Sequence, residues 1–119
     1  MTLAARIGAC TGGAAGCRAA LLVDLRDGFL LGSEGAPEAD ELLAAAACEL
    51  LGRARPDALA SRADGHAIVA SDGALHVFLR IEAAGDRALC LIFPPDASSG
   101  AALAQARACA EAFGDGGVW

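Results

Sequence analysis

The chain has 119 residues, of which 55% are hydrophobic and 20% charged, a composition that supports one globular core and leaves no room for a second. All 9 basic residues are Arg and the net charge is −6, which argues against a nucleic-acid binder that tracks phosphates and against polybasic attachment to anionic lipid. No apolar run approaches the roughly 18 residues of a helical membrane span, and the stretch before Cys10 is too short and too interrupted by Arg6 for a processed signal.

In chain order, residues 1–17 are an alanine- and glycine-rich lead. Thr2 can cap a short helix through about Cys10, which Gly8, Gly12 and Gly13 weaken by about 1 kcal/mol each relative to Ala. The run Ala19-Ala20-Leu21-Leu22-Val23-Asp24 reads as a strand covered on both faces. Asp27-Gly28 is a hairpin signal, and Phe29-Leu30-Leu31-Gly32 the returning strand. Ser33 to Pro37 is expected to be a loop.

A helix is predicted over residues 37–52: Pro37 suits its first turn, Glu38, Asp40 and Glu41 its positive end, and Gly52 its stop. Three strands are then predicted. They are His66 to Ser71, the alternating segment from Leu75 to Glu82, and the apolar run from Ala88 to Phe93. Asp72-Gly73 and Gly85-Asp86 turn between them. Asp96 or Ser98 can cap a last helix, about Ser99 to Phe113, with Leu103, Ala106, Ala110 and Phe113 on one stripe. Gly114 is expected to stop it, leaving residues 114–119 as a flexible tail beyond a single domain of residues 1–113.

The order is therefore α-β-β-α-β-β-β-α. It defines an α+β fold, an α/β sandwich with a five-stranded, mainly antiparallel sheet and helices on both faces, of profilin-like architecture. The strands at 19–24 and 88–93 are expected at its centre.

Chemistry-bearing patterns are sparse. The glycines from Gly8 to Gly16 lack the Lys of a phosphate-binding loop and precede a strand where a dinucleotide fingerprint should follow one, so a flexible or poorly helical lead is the preferred reading. His66 and His76 are the two histidines, and neither stands at metal-site spacing from a Cys. The odd set Cys10, Cys17, Cys48, Cys90 and Cys109 contains no C-x-x-C pair and reads as free thiols of a cytoplasmic protein, mostly serving as small core residues. Asp24, Asp27 and Asp72 flank hairpins, as ordinary turn residues do. No catalytic residue, cofactor or metal is expected, and the chain is not read as an enzyme.

The local text and element order resemble the roadblock/LC7 family, which includes roadblock-type dynein light chains and MglB-like bacterial regulators. Residues Gly16-Cys17-Arg18-Ala19-Ala20-Leu21-Leu22-Val23-Asp24 and Asp27-Gly28-Phe29-Leu30-Leu31 are similar to that family's opening hairpin. Pro95-Asp96-Ala97-Ser98-Ser99-Gly100-Ala101 is similar to its entry into the last helix. The resemblance spans about residues 16–113. It implies homodimers or heterodimers in which the strand after the central helix pairs with its mate and two copies of that helix lie together. It further implies a non-catalytic regulator or adaptor for a Ras-like small GTPase or for motor machinery.

The predicted central helix supports a second packed face. Leu42, Ala46, Ala39, Leu50 and Leu43 fill an arc of about 100°, enough to face a sheet. Ala44, Ala47, Cys48 and Leu51 extend the uncharged arc to roughly 240°. These four residues, with Ala67, Ile68 and Val69 of the unprotected edge strand, form the expected dimer interface. Glu38, Glu41, Glu49 and Arg53 on the charged flank are the expected partner-binding residues. A small-molecule sensor of similar architecture is the alternative, with His76 and Arg80 as its inward polar candidates.

Overall fold

The computed structural model describes residues 3–13, 15–25, 28–35, 66–81 and 87–116. The predicted helix over 37–52, with Glu38, Glu41, Ala44, Ala47, Cys48, Glu49, Leu51 and Arg53, lies outside the described residues. The elements are α1 (Leu3–Ala9), β1 (Ala19–Asp24), β2 (Phe29–Glu34), β3 (His66–Ala70), β4 (Leu75–Ile81), β5 (Arg87–Phe93) and α2 (Ser99–Gly116). The five strands form one sheet in the order β2-β1-β5-β4-β3, and every neighbouring pair is antiparallel.

The two continuous apolar runs take the interior places expected of them. All of β5 except Arg87 is buried, as is all of β1 except Asp24. Alternation splits their side chains between two cores. On one face, Ala20 and Leu22 of β1, Val77, Leu79 and Ile81 of β4, and Leu89, Leu91 and Phe93 of β5 meet Ile7 of α1 and Ala102, Ala106 and Phe113 of α2. On the other, Ala19, Leu21, Val23, Phe78, Ala88, Cys90 and Ile92 form a second buried cluster. Both described helices thus lie on the first face. Each fully buried Leu, Val or Phe of these clusters contributes about 1.5–3 kcal/mol relative to exposure.

Local chemistry sets the element ends. The Ser98 hydroxyl accepts the Ala101 N–H at 3.3 Å and so caps α2, while the Ser98 carbonyl accepts the first helical bond from Ala102 at 2.9 Å. α2 runs to Gly116, past the stop expected at Gly114. At the other end of the chain α1 stops at Ala9, and the glycines after it are an ordered turn, not a loose lead. Gly12 and Cys17 exchange backbone bonds of 2.8 and 2.9 Å, and Gly12, Gly13 and Gly16 all have φ between 76° and 82°.

The two Asp-Gly turns close differently. Asp24 pairs with Phe29, so the first connection spans four positions and Gly28, at φ 77°, donates its N–H to Asp24 at 2.9 Å. Around Asp72-Gly73 the Ser71 N–H reaches Ala74 at 2.9 Å, which ends β3 at Ala70, one residue before the expected Ser71. β2 in turn continues through Ser33 and Glu34, expected to be loop, because these pair with Leu21 and Ala20.

Candidate functional site

β3 is an edge strand, held by its pairing to β4 from His66↔Leu79 to Ala70↔Leu75 with no break in register. Its β-branched Ile68 and Val69 favour extended backbone. Alternation sends Ala67 to the second core, beside Phe78, where it is buried. Ile68 points to the opposite face and Val69 to the same face as Ala67, yet they remain 37% and 41% exposed. Among the described elements α2 packs over β4 and β5 and α1 over β1 and β2, so within that set β3 rests chiefly on β4. Because the Ser71 N–H turns inward to Ala74, alternation directs the backbone polar groups of Ile68 and Ala70 away from β4. The strand therefore offers a ladder of backbone groups between two apolar side chains, with no charge, Pro or bulge at residues 67–70.

His76 and Arg80, the expected inward polar pair, flank Phe78 on β4. Both are half-buried, and the His76 ring stacks on Phe78 with centroids 6.3 Å apart and planes 14° from parallel. The aromatic face of Phe78 gives the imidazole a packing role on the sheet, in a position that leads out toward Val69 through the Val69↔His76 pair.

A second cluster was not visible as spacing. Cys10, just past the end of α1, and Cys109, in the middle of α2, belong to one packed cluster with Cys17, and the Cys10 S–H donates to the Arg6 carbonyl at 3.5 Å. Cys10 and Cys17 are buried and Cys109 is half-buried; all three are free thiols. The neighbouring Cys109 thiol, and then burial, push the Cys10 thiol far up. The Cys10 thiol in turn draws Cys109 below the usual thiol range. The Cys17 thiol is held up by burial and reaches the Ala19 carbonyl at 3.2 Å. Gln105, one turn before Cys109 on α2, donates to the carbonyls of Cys10 and Gly12 at 3.0 Å each and fixes the glycine turn against the helix. Among the described residues no group of His, Cys, Asp or Glu is arranged to hold a metal ion, and no helix is long and apolar enough to cross a membrane.

No family model and no curated protein matches the chain. Solved structures do. A Roadblock/LC7 domain from Streptomyces avermitilis aligns with a TM-score of 0.73 at 18% identity, over 95% of either chain. Myxococcus xanthus MglB aligns with a TM-score of 0.67 at 15% identity, over 96% of this chain and 95% of its own. An MglB with tetrameric arrangement aligns with a TM-score of 0.60 at 22% identity, over 92% of this chain and 83% of its own. The chain has the Roadblock/LC7 fold, as the opening hairpin and the entry into the last helix led one to expect.

Proposed function

We propose that the chain is a non-catalytic, dimeric regulatory module of the roadblock/LC7 family that works in the cytoplasm and binds a Ras-like small GTPase or a related switch or motor component. The observation that carries this reading is the full-length likeness to Roadblock/LC7 and MglB structures, combined with an edge strand that has no protection of its own. The tetrameric arrangement of one MglB neighbour supports self-association as a property of the fold. The free thiols of Cys10, Cys17, Cys90 and Cys109 suit a reducing compartment.

In the dimer, β3 of one protomer pairs with β3 of the other around a two-fold axis, through Ala67, Ile68 and Val69. Ala44, Ala47, Cys48 and Leu51 of the central helix line the seam beside it. Small residues there let two helices approach at the short end of the usual 8–10 Å. Glu38, Glu41, Glu49 and Arg53 form the surface for the GTPase. Two measurements on one set of variants test this. Leu51→Glu should sediment as a monomer or lose stability, since it places like charges in the seam. Glu38→Lys with Glu41→Lys should leave the dimer intact and abolish binding to a Ras-like GTPase loaded with GTP or GDP. A wild type that is monomeric, or that binds the GTPase in neither nucleotide state, sinks the proposal.

A further inference from the structure

Two copies of one strand can be laid edge to edge in several registers, and the backbone of β3 removes every second one. The Ser71 N–H bonds inward to Ala74, and the pairing to β4 runs unbroken from His66↔Leu79 to Ala70↔Leu75. Alternation therefore turns the backbone groups of Ala67 and Val69 toward β4 and those of His66, Ile68 and Ala70 outward. Antiparallel pairing, the mode used throughout this sheet, bonds outward residues to outward residues. A slip of one residue sets each outward residue against an inward one and forms no ladder.

The registers that keep most of the strand overlapped place a two-fold axis at Ala67, at Ile68 or at Val69, and the side chains separate them. With the axis at Ala67, the exposed Ile68 faces His66 and Val69 falls past the first residue of the partner's strand. With the axis at Val69, Ala67 faces Ser71 and His66 faces Asp72, which lie beyond the end of β3 where the chain turns into β4. With the axis at Ile68, every residue from His66 to Ala70 faces a residue of the same strand. Ile68 then meets its own copy on the face that carries α2. On the other face Val69 meets the partner's Ala67. Ala67 is buried beside Phe78 in its own protomer, so Val69 extends the partner's second core. Large against small suits this position, because the Cα atoms of such a non-hydrogen-bonded pair approach to about 4.5 Å.

We propose that β3 pairs antiparallel with β3 of a second copy of this chain in a single register, with the two-fold axis through Ile68. The inference rests on the dimer reading above and adds the fit. Side-chain size is complementary about Ile68, with Ala67 on one side and Val69 on the other, and a two-fold exchanges them. A second copy supplies that order by symmetry. The axis is normal to the sheet, so the two sheets continue as one and both copies of α2 stand on the same face.

The test places cysteines at the axis and beside it in the full chain. Sedimentation of the wild type comes first, followed by mild oxidation of each variant and peptide mass mapping of every link. Ile68→Cys should link to its own copy, since the Cα atoms of a hydrogen-bonded pair stand about 5.5 Å apart, within disulfide reach. Val69→Cys should link to its own copy at least tenfold less, because the two positions then lie on a diagonal of about 7–8 Å. An equal mixture of Ala67→Cys and Val69→Cys chains should link position 67 to position 69. Ile68 and Val69 are both more than a third exposed, so their variants leave the core of the protomer intact. Self-linking of Ala67→Cys or Val69→Cys in place of Ile68→Cys moves the axis and overturns the register while the dimer reading stands. A dimeric wild type in which none of the variants links overturns the register and removes β3 as the pairing strand. A monomeric wild type sinks the dimer reading and the register with it.

Discussion

The two edges of the sheet have equal standing in the topology and opposite construction. β2 carries a bulge, where Leu22 pairs with Gly32 and Val23 with Leu30, leaving Leu31 unopposed. It ends in the charge of Glu34 and the positive-φ Gly35, and α1 packs over it. β3 has an unbroken register, exposed Ile68 and Val69, and, among the described elements, β4 as its main support. Bulges, charges and covering elements are the means by which proteins keep an edge from pairing with another chain. The difference teaches that one edge of this sheet is closed by design and the other is left available. The proposed dimer uses the second edge and makes no use of the first.

The largest effect that would break the comparison comes from the closed side. Gly35 has φ 95°, and a Cβ there would run into the Arg18 carbonyl and Ala19 of β1. Gly35→Ala should therefore cost about 2–4 kcal/mol, from left-handed strain and backbone displacement together. Urea unfolding measures the loss, and a destabilisation below about 0.5 kcal/mol would mean that the end of β2 is not held to β1 as described.

On the open side, Ile68→Lys should weaken self-association at least tenfold, about 1.4 kcal/mol. Unfolding stability of the dissociated chain should change by less than about 0.5 kcal/mol, because the side chain is already more than a third exposed. Sedimentation equilibrium reads the first number. An unchanged dimer would show that the β3 edge is not the pairing surface.

Much of this contrast was legible in the sequence because it depends on patterns of neighbouring residues. The apolar runs of β1 and β5 announced interior strands, and the absence of charge or Pro through Ala67-Ile68-Val69 announced an open edge. Ser98 was legible as a cap because capping is a property of a residue and the N–H three positions on. The Leu31 bulge was not, since it is defined only by the register against β1. Nor was the extent of α2 past Gly114, because a single glycine costs a helix only about 1 kcal/mol and does not forbid it. Glycine content read correctly as an early end to α1, but the same glycines supply the positive φ values of the Gly12–Cys17 turn. The packing of Cys10 and Cys109 into one core cluster is a tertiary event between segments at opposite ends of the chain, and no sequence spacing encodes it.

The sheet's centre supplies a smaller effect that separates edge from core. Burial pushes the Cys90 thiol far above the usual range on β5, and Cys10 and Cys17 are raised as well, against Cys109 alone lowered. A raised folded pKa means that the unfolded chain releases its proton first as pH rises. Stability is then full below the unfolded thiol pKa of about 8.5 and falls above it, by up to about 1.4 kcal/mol per pH unit for each proton retained. Cys109 acts in the opposite sense, adding stability as pH rises through its lowered pKa, but it is outnumbered. Urea unfolding at pH 7 to 10 should show a decline that begins near pH 8.5, and Cys90→Ala should make it shallower. A flat profile in the wild type would contradict the burial of these thiols.

The smallest effect is the control on the closed edge. Leu31 is 36% exposed, nearly as much as Ile68, and the two residues are both apolar and both on edge strands. If exposure of an apolar side chain at an edge were enough to drive association, Leu31→Lys and Ile68→Lys would act alike. They should not. The bulge twists β2 locally and interrupts the straight row of backbone groups that a second strand would need. A lysine at that position adds one more charge to an edge already unsuited to pairing, and its aliphatic stem can follow the surface that Leu31 covered. Leu31→Lys should therefore change unfolding stability by less than about 0.5 kcal/mol and leave the dimer dissociation constant within about twofold. A loss of association equal to that of Ile68→Lys would place the interface on both edges, or on the wrong one, and would remove the structural asymmetry from which the pairing surface is inferred.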